Sequence, residues 1–176
     1  ATLNLMGVEE GIYLSADTVE LVIRDNATVI IGTEEAPMEE ECIYVDGIIT
    51  GSVTITDNAS VTWVTADEEG IFAGGGHSYL TISGNANVYA MVEEEGLDAE
   101  FITISGGTVT TIGGAGNEGI YARVLTVSGG TVTAEGEDQG IEAEEIVITG
   151  GTVTVTGGMI ASVGDFMTPG TITLGE

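Results

Sequence analysis

The sequence predicts an all-β fold: a single right-handed parallel β-helix (β-solenoid) of about seven coils of ~22 residues, with almost no helix. Three observations support this prediction. One segment recurs along the chain, a second motif recurs in phase with it, and apolar residues alternate with polar ones within each copy. Alternation with a period of two marks a β-strand with one buried face, whereas no stretch of ten residues follows the 3.6-residue period of an amphipathic helix.

The first motif is a strand, a tight turn and a second strand. The segment Ile102-Thr-Ile-Ser-Gly-Gly-Thr-Val-Thr110 recurs almost unchanged from Leu125 and from Ile146. More divergent copies start at residues 21, 53 and 80, and Gly170–Thr173 is a truncated last copy. The turn is Asp-Asn in two early copies, Gly-Asn in a third and Gly-Gly in the three later ones. Because Asn and Gly both tolerate positive φ, we expect one backbone conformation for this turn in all copies.

The second motif is a Gly-Ile pair that opens a short strand. Its copies are Gly11-Ile12, Gly47-Ile48, Gly70-Ile71, Gly96-Leu97, Gly119-Ile120 and Gly140-Ile141, with Met159-Ile160 as a degenerate copy. A unit of about 22 residues cannot bury its apolar face alone, but stacked units cover one another with parallel strands about 4.8 Å apart. We find no domain boundary and predict one β-solenoid domain over residues 1–176.

The net charge excludes several classes of partner. The chain carries 29 Asp and Glu against two basic residues, Arg24 and Arg123, for a formal net charge of -27 at pH 7. Nucleic acids and anionic membrane surfaces both require clustered Lys and Arg, so we predict neither as a partner. No run approaches the ~20 apolar residues of a membrane span, so we also predict no membrane insertion. A negative field of this strength attracts cations, above all divalent ones.

A ladder of carboxylates is predicted along one edge, because the residues before the Gly-Ile pairs are mostly acidic and equivalent positions stack. With no Lys to neutralise it, such a ladder suits Ca²⁺, a hard cation that takes about six to eight oxygen ligands. The candidate metal ligands are Glu10, Glu69, Glu94, Glu95, Glu118 and Asp138. The alternative is a solvated acidic face that confers solubility.

Two further surfaces follow from the stacking. Tyr13, Phe72 and Tyr121 each follow a Gly-Ile pair, so we expect them to share an outward column that contacts a carbohydrate or a protein partner, or packs on neighbouring coils. A threonine ladder resembles the ice-binding face of some antifreeze β-solenoids, although exposed strands also favour β-branched Thr. Its predicted rows are Thr108/Thr110, Thr131/Thr133, Thr152/Thr154 and Thr171/Thr173.

No catalytic residue is predicted, and we expect no enzyme. The side chains available as bases are Arg24, Arg123 and His77. The two Arg fall in different parts of the repeat, and His77 lies in the Gly74-Gly-Gly-His loop. Carboxylates are so numerous that any single pair is uninformative about glycoside hydrolysis. Cys42 is the sole cysteine and has no recognisable His partner to activate it as a nucleophile.

Coils of about 22 residues with Ile-Ser-Gly-Gly-Thr-Val-Thr strands and an acidic residue before Gly-Ile resemble bacterial right-handed parallel β-helices. The resemblance covers about residues 8–173 and is greatest to the secreted "carbohydrate-binding domain" family, which is similar in fold to pectate-lyase-like polysaccharide lyases. It implies binding of Ca²⁺ and acidic polysaccharide through carboxylates at Asp-Asp-Gly-Ile-type turns. The matching positions are Glu9-Glu10, Glu68-Glu69, Glu94-Glu95, Asn117-Glu118 and Asp138-Gln139, where Glu mostly replaces Asp.

The end strands are candidates for assembly, since a solenoid without a capping helix exposes unpaired strands at both ends. The residues concerned are Thr2, Leu3 and Leu5 at one end and Thr171, Ile172 and Leu174, in an incomplete coil, at the other. A partial coil completed by the next subunit makes a heterologous contact, which builds a filament unless it closes.

These observations predict a non-enzymatic structural protein that assembles head to tail into a filament or surface appendage, with Ca²⁺ along its acidic edges. A chain that starts at Ala1 is what signal-peptide removal leaves, so we expect it outside the cell or at the cell surface. The alternative function is that of a Ca²⁺-dependent carbohydrate-binding module for acidic polysaccharide.

Overall fold

The computed structural model of the chain describes residues 1–6, 11–64, 68–137, 139–163, 168–169 and 171–174. The described residues form fourteen β-strands and no helix, which confirms the all-β prediction. The described residues thus contain no helix with the length and apolarity needed to cross a membrane. The strands are β1 Thr2–Leu5, β2 Ile12–Ile23, β3 Thr28–Ile31, β4 Ile43–Ile55, β5 Ser60–Val64, β6 Ile71–Gly75, β7 Ser78–Ile82, β8 Asn87–Met91, β9 Leu97–Ile112, β10 Ile120–Glu135, β11 Ile141–Thr156, β12 Met159–Val163, β13 Thr168–Pro169 and β14 Thr171–Leu174.

The strands pair in parallel in three columns, and each column holds seven strand segments. Column 1 contains the first parts of β2 and β4, then β6, the first parts of β9, β10 and β11, and β12. Column 2 contains the second parts of β2 and β4, then β7, the middle parts of β9, β10 and β11, and β14. Column 3 contains β1, β3, β5, β8 and the last parts of β9, β10 and β11. Among the described strands, β12 and β13 alone pair antiparallel.

The pairing register confirms the predicted alignment of the strand–turn–strand copies. Six copies lie side by side in column 2, and the truncated seventh continues the row. The residues in this row are Leu21, Val53, Leu80, Ile102, Leu125, Ile146 and Ile172. Their side chains point inward from Val53 to Ile146, where each is at most 1% exposed. A repeat in the sequence is therefore a repeat along the stack of strands, and its apolar positions form the core.

Two copies of the Gly-Ile motif were assigned wrongly. In column 1 the residue between β2 and β6 is Ile43, so Cys42-Ile43 is the true copy and Gly47-Ile48 is not. Ile48 is instead 69% exposed, in a bulge where β4 has more residues than β2. At the other end, Met159 pairs with Ile141, so the copy is Gly158-Met159 and not Met159-Ile160. The first error arose because a buried cysteine replaces the glycine of the motif.

The central turn has two backbone conformations, not the one expected. In the early copies the first turn residue has positive φ, at 62° for Asp25, 61° for Asp57 and 68° for Gly84. In the later copies the second residue does, and those residues are Gly107 at 81°, Gly130 at 83° and Gly151 at 83°. The early turns interrupt the strand, whereas β9, β10 and β11 run through the turn as single strands of 16 residues.

Asparagine side chains are retained at the early turns because they bond to one another between coils. The Nδ2 of Asn58 donates to Oδ1 of Asn26 at 3.3 Å, and the Nδ2 of Asn85 donates to Oδ1 of Asn58 at 3.1 Å. A Gly-Gly turn has no side chain to continue this ladder. The choice between Asn and Gly is therefore linked to a side-chain contact as well as to φ.

The glycine before column 1 is required by packing. Trp63 is fully buried, and its indole lies against Gly70, where a Cβ atom would overlap Nε1. Val155 takes the same position at Gly140, with its Cγ1 2.6 Å from where a Cβ would lie. In both cases a column 3 side chain occupies the space that a side chain before column 1 would need, so the core closes only over glycine.

Candidate functional site

The acidic residues before column 1 stack once per coil, as expected. Backbone N–H groups of the preceding coil donate to the carbonyl oxygens of Glu41, Glu69, Glu95 and Glu118 over N···O distances of 2.9 to 3.3 Å. We call these residues, together with Glu68 and Glu94, the acidic edge. Of the predicted ligands, Glu10 and Asp138 lie outside the described residues. Glu41, which the sequence places near the ladder but not among the candidate ligands, joins this edge at the position before Cys42.

The acidic edge brings carboxylates together in two groups of three. Oxygen atoms of Glu41, Glu68 and Glu69 all lie within 4.8 Å of one another, and the same holds for Glu69, Glu94 and Glu95. Glu69 belongs to both groups, so the two are continuous along the edge. All donors are carboxylate oxygens, the ligand type that Ca²⁺ and Mg²⁺ select.

Burial and close packing of like charges shift the pKa values of the carboxyl groups at this edge. Burial, followed by repulsion from Glu41, raises the pKa of Glu68 to about 7. Burial raises the pKa of Glu69, and repulsion from Glu94 and Glu95 acts in the same direction. Burial likewise raises the pKa of Glu95, against a backbone hydrogen bond and a hydrogen bond with the buried Glu118 that both lower it. A cation placed among these groups would relieve the repulsion and compete with the proton.

The predicted outward row of aromatic side chains is present, and it contains one additional ring, that of Tyr44. Tyr13, Phe72 and Tyr121 lie in one outward row of column 1, in the order Tyr13, Tyr44, Phe72, Asp98, Tyr121. Tyr13 stacks on Tyr44 with centroids 4.9 Å apart and planes 2° apart, and Tyr44 stacks on Phe72 at 5.0 Å and 17°. Both faces of Tyr44 are thus covered by rings, so this part of the row offers ring edges to a ligand. Asp98 separates Tyr121 from the stack.

A second cluster, which sequence reasoning missed, joins His77 and Arg123 through one carboxylate. The Nε of Arg123 donates to Oε1 of Glu100 at 2.8 Å, and Nδ1 of His77 lies 3.0 Å from Oε2. Although burial acts in the opposite direction, hydrogen bonds from His77 and Arg123 hold the pKa of Glu100 below its usual range. The guanidinium also lies over the ring of Phe101, 4.4 Å from its centroid, and that ring stacks on Tyr79 at 5.1 Å.

The register that places Arg123 beside Glu100 was visible in the repeat, but the position of His77 was not. His77 lies in extra residues between β6 and β7, and its backbone N–H donates to the carbonyl oxygen of Ile49 in the β4 bulge. His77 and Arg123 therefore meet at one carboxylate, although they come from different elements. Arg24 lies elsewhere, exposed and 3.8 Å from Asp25.

Three of the four predicted threonine rows are present. In column 3, Thr108, Thr131 and Thr152 form one line, and Thr110, Thr133 and Thr154 form the next. The fourth row was wrong: Thr171 and Thr173 pair with Glu145 and Val147 in column 2. The error arose because Thr171-Ile-Thr173 has the Thr-x-Thr spacing of the second strand of the repeat but pairs with the first strand of the preceding copy.

The predicted assembly residues lie on end strands. Thr2, Leu3 and Leu5 pair with β3 in column 3, and Leu3 is 42% exposed. Thr171, Ile172 and Leu174 pair with β11 in column 2, and Leu174 is 69% exposed. The two sets therefore occupy different columns at opposite ends.

Comparison of the chain with protein-family models, with curated proteins and with solved structures found no match. The resemblance to the secreted β-helix family therefore depends on the turn and strand motifs alone. Function has to be argued from the geometry of the described residues.

Proposed function

We propose that this chain is an extracellular, non-enzymatic structural protein: a right-handed parallel β-helix of about seven coils that stacks end to end into a filament or surface appendage, with Ca²⁺ along its acidic edge. The three columns of seven strand segments support the β-helix. Parallel strands joined by a crossover are right-handed in nearly all proteins, which supports the hand.

The observation that carries the assembly is the offset between the two ends. At the first end, β1 pairs with β3 and is the outermost strand of column 3, whereas β2 is the outermost strand of columns 1 and 2. Because β3 follows β2 in the chain, column 3 protrudes by one strand. At the other end, β12 and β14 extend columns 1 and 2, whereas no described strand covers Thr152–Thr156 of β11 in column 3. A strand that protrudes in column 3 at one end thus matches an open position in column 3 at the other.

A second copy fits this open position in a defined register. Continuing column 3 sets β1 of the next subunit beside β11, with Thr2 opposite Thr152 and Leu3 opposite Val153. Its β2 then covers β12 and β14, so that three columns continue across the junction. This contact is heterologous and repeats in one direction, and such a contact builds a filament.

Partly exposed core residues at both ends support the same contact. Residues that face inward in the middle of the stack are nearly all fully buried, whereas their equivalents in the end strands are only partly covered. The partly buried residues at the open edges are Leu5, Ile12, Leu14, Val19 and Leu21 at the first end and Val153 and Val155 at the other. A second copy would cover them, and full burial of one such side chain is worth about 1.5 to 3 kcal/mol.

Bound calcium would favour the proposed stacking, because the negative charge of the subunits opposes it. Each subunit brings a formal charge of -27, and like charges on neighbouring subunits repel unless cations intervene. The two carboxylate groups of the acidic edge offer oxygen donors close enough to share an ion. Bound Ca²⁺ would lower the charge along the side of the stack that runs through every junction.

The assembly can be tested by blocking the open edge of β1 without disturbing its inner edge. The carbonyl oxygens of Ala1 and Leu5 accept from Thr28 and Gly32, so the backbone groups of Ala1, Leu3 and Leu5 face β3. Alternation along a parallel strand turns the N–H of Asn4 to the open edge. Asn4→Pro removes that donor, whereas Asn4→Ala keeps it and serves as the matched control.

Sedimentation velocity over a range of protein concentrations, in millimolar Ca²⁺, is the measurement. We expect wild type and Asn4→Ala to associate and Asn4→Pro to remain a single subunit. Thermal unfolding curves should be equal for all three in chelator, at a concentration where none of them associates. A wild-type protein that stays a single subunit with and without Ca²⁺, or an Asn4→Pro variant that associates like wild type, contradicts the proposal.

The second candidate is a Ca²⁺-dependent carbohydrate-binding module for acidic polysaccharide. The observation in its favour is the position of Tyr121 and Asp98 in column 1, directly beside the acidic edge. Calcium held by that edge could bridge to a uronate while Tyr121, 44% exposed, contacts the sugar ring. Titration calorimetry with a polyuronate should then give Ca²⁺-dependent heat that Tyr121→Ala reduces, and no heat in either condition removes this candidate.

A further inference from the structure

A groove of about 370 Å³ opens on the outward side of column 3. It lies where the chain leaves β3 and turns above the neighbouring strands. Its lining residues are Gly32, Thr33, Glu34, Glu35, Thr62 and Tyr89. The volume falls in the range of about 300 to 1,000 Å³ that small-molecule sites occupy.

The turn over this groove is held in place. Thr33 and Ala36 exchange backbone hydrogen bonds at 2.9 and 3.0 Å, and Thr33 Oγ1 accepts a third from the N–H of Ala36 at 3.2 Å. Glu34 and Glu35 form the tip of the turn, and both are exposed. Met38, fully buried in the core, anchors the segment that follows. The backbone that carries the two glutamates at the rim is therefore ordered, which lowers the ordering cost of binding.

The row of outward side chains that contains the lining residues Thr62 and Tyr89 is uncharged. Its members in β3, β5, β8, β9 and β10 are Ile30, Thr62, Tyr89, Thr110 and Thr133. Tyr89 is the single aromatic ring among them, and it is half-buried. Within the described part of the chain, no ion pair involves Glu34 or Glu35.

We propose that this groove binds an organic ammonium cation, with the nitrogen between the carboxylates of Glu34 and Glu35 and the ring of Tyr89. Carboxylates attract the charge, and an aromatic face attracts a cation that carries alkyl groups. A metal ion binds through oxygen ligands and would gain nothing from contact with the ring or with the methyl groups of Thr33 and Thr62. The chain has no Lys, so it does not supply an ammonium group itself. The site is independent of the proposed assembly, because it lies on the side of the stack.

Ligand-observed NMR with two probes, choline and 1,4-diaminobutane, tests the proposal at about 0.15 M salt, where diffuse attraction is screened. We expect saturation transfer to both probes and an upfield shift of the choline methyl protons from the Tyr89 ring. Tyr89→Ala should weaken binding about fivefold, and Tyr89→Phe should preserve it. The double variant Glu34→Gln/Glu35→Gln should weaken binding of both probes by a similar factor.

The matched control is Glu144→Gln/Glu145→Gln, which removes the same number of charges from β11, away from the groove. We expect this variant to bind both probes as wild type does. Equal weakening in the two double variants, an unchanged affinity in Tyr89→Ala, or no saturation transfer to either probe would each overturn the site. The first of these outcomes would mean that the net charge alone attracts the cation.

Discussion

Replacing Asp98 with asparagine should stabilise the protein in mildly alkaline solution. Asp98 lies in the outward row of column 1 between Phe72 and Tyr121, in a half-buried position. Burial, with repulsion from Glu95 and Glu69, raises its pKa from 3.8 to about 7. The folded chain therefore keeps a proton on Asp98 over a pH range in which the unfolded chain has lost it.

The sign and the size of the effect follow from linkage. A carboxyl group whose pKa is higher in the folded state contributes stability below its unfolded pKa, and that contribution disappears as the pH rises through the folded value. The two pKa values of Asp98 differ by about three pH units, which corresponds to at most about 4 kcal/mol. Only about two of these three units lie between pH 5 and pH 8, and part of the group contacts solvent, so we expect an effect of about 1 to 2.5 kcal/mol in this window.

Urea unfolding at pH 5 and pH 8, in the presence of a chelator, measures this difference. Wild type should lose stability between the two pH values, and Asp98→Asn should lose about 1 to 2.5 kcal/mol less. Asp17→Asn, at an exposed position on β2, is the control and should change the free energy of unfolding by less than about 0.5 kcal/mol. If Asp98→Asn and wild type lose the same stability, burial of Asp98 does not shift its protonation and the reasoning fails.

Three further predictions concern the acidic edge, the core and the basic cluster. Calcium should raise the melting temperature of wild type, and less so that of Glu69→Gln, because Glu69 belongs to both carboxylate groups; equal shifts by scanning fluorimetry would contradict a site there. Gly70→Ala should cost about 3 kcal/mol in urea unfolding, because the added methyl group overlaps the indole of Trp63, and a neutral result would mean that the two do not pack together. Arg123→Ala should lower the free energy of unfolding by about 1 kcal/mol, because the contacts of Arg123 with its carboxylate partner and with the ring beneath it are lost. Arg24 is exposed and loosely paired, so Arg24→Ala should lower it by less than about 0.5 kcal/mol. Equal costs would contradict the difference in geometry.

The repeat predicted most of the fold because equivalent residues in a stack pair with one another. The alignment of Leu21 with Val53 and of Ile102 with Leu125 in the sequence is the strand register of the structure. Inward and outward faces follow from the same alternation, so most of the buried core could also be derived. Prediction failed where Cys42 replaces the glycine of the motif, because the Gly47-Ile48 pair in the β4 bulge was then taken for the copy that lies five residues earlier at Ile43.

The candidate sites were predictable to the same extent. The stacking of Glu69, Glu95 and Glu118 follows from the repeat, whereas Glu41 and Tyr44 were lost with the misplaced motif. Other features depend on segments that do not repeat. The contact of His77 with Glu100 is made by extra residues between β6 and β7, and the groove at Tyr89 is made by a turn that no other coil has in the described chain. Such insertions have no equivalent in neighbouring coils from which their position could be inferred.

The turns show a related limit of pattern reasoning. Asn and Gly share a tolerance of positive φ, but Asp25 and Asp57 adopt it in place of the Asn residues beside them. The Asn side chains are instead held by each other across the coils. Two residues with the same backbone preference can therefore occupy a turn for different reasons, and composition alone does not separate them.

Electron microscopy of the purified protein in negative stain, first with millimolar Ca²⁺ and then with a chelator, tests the end-to-end assembly most directly. The proposed contact predicts filaments one β-helix wide with a subunit repeat of about 34 Å, since seven strands per column lie about 4.8 Å apart. Loss of these filaments in chelator would support the role of Ca²⁺ in the assembly. Dispersed single particles in both conditions would contradict the filament and favour the carbohydrate-binding module.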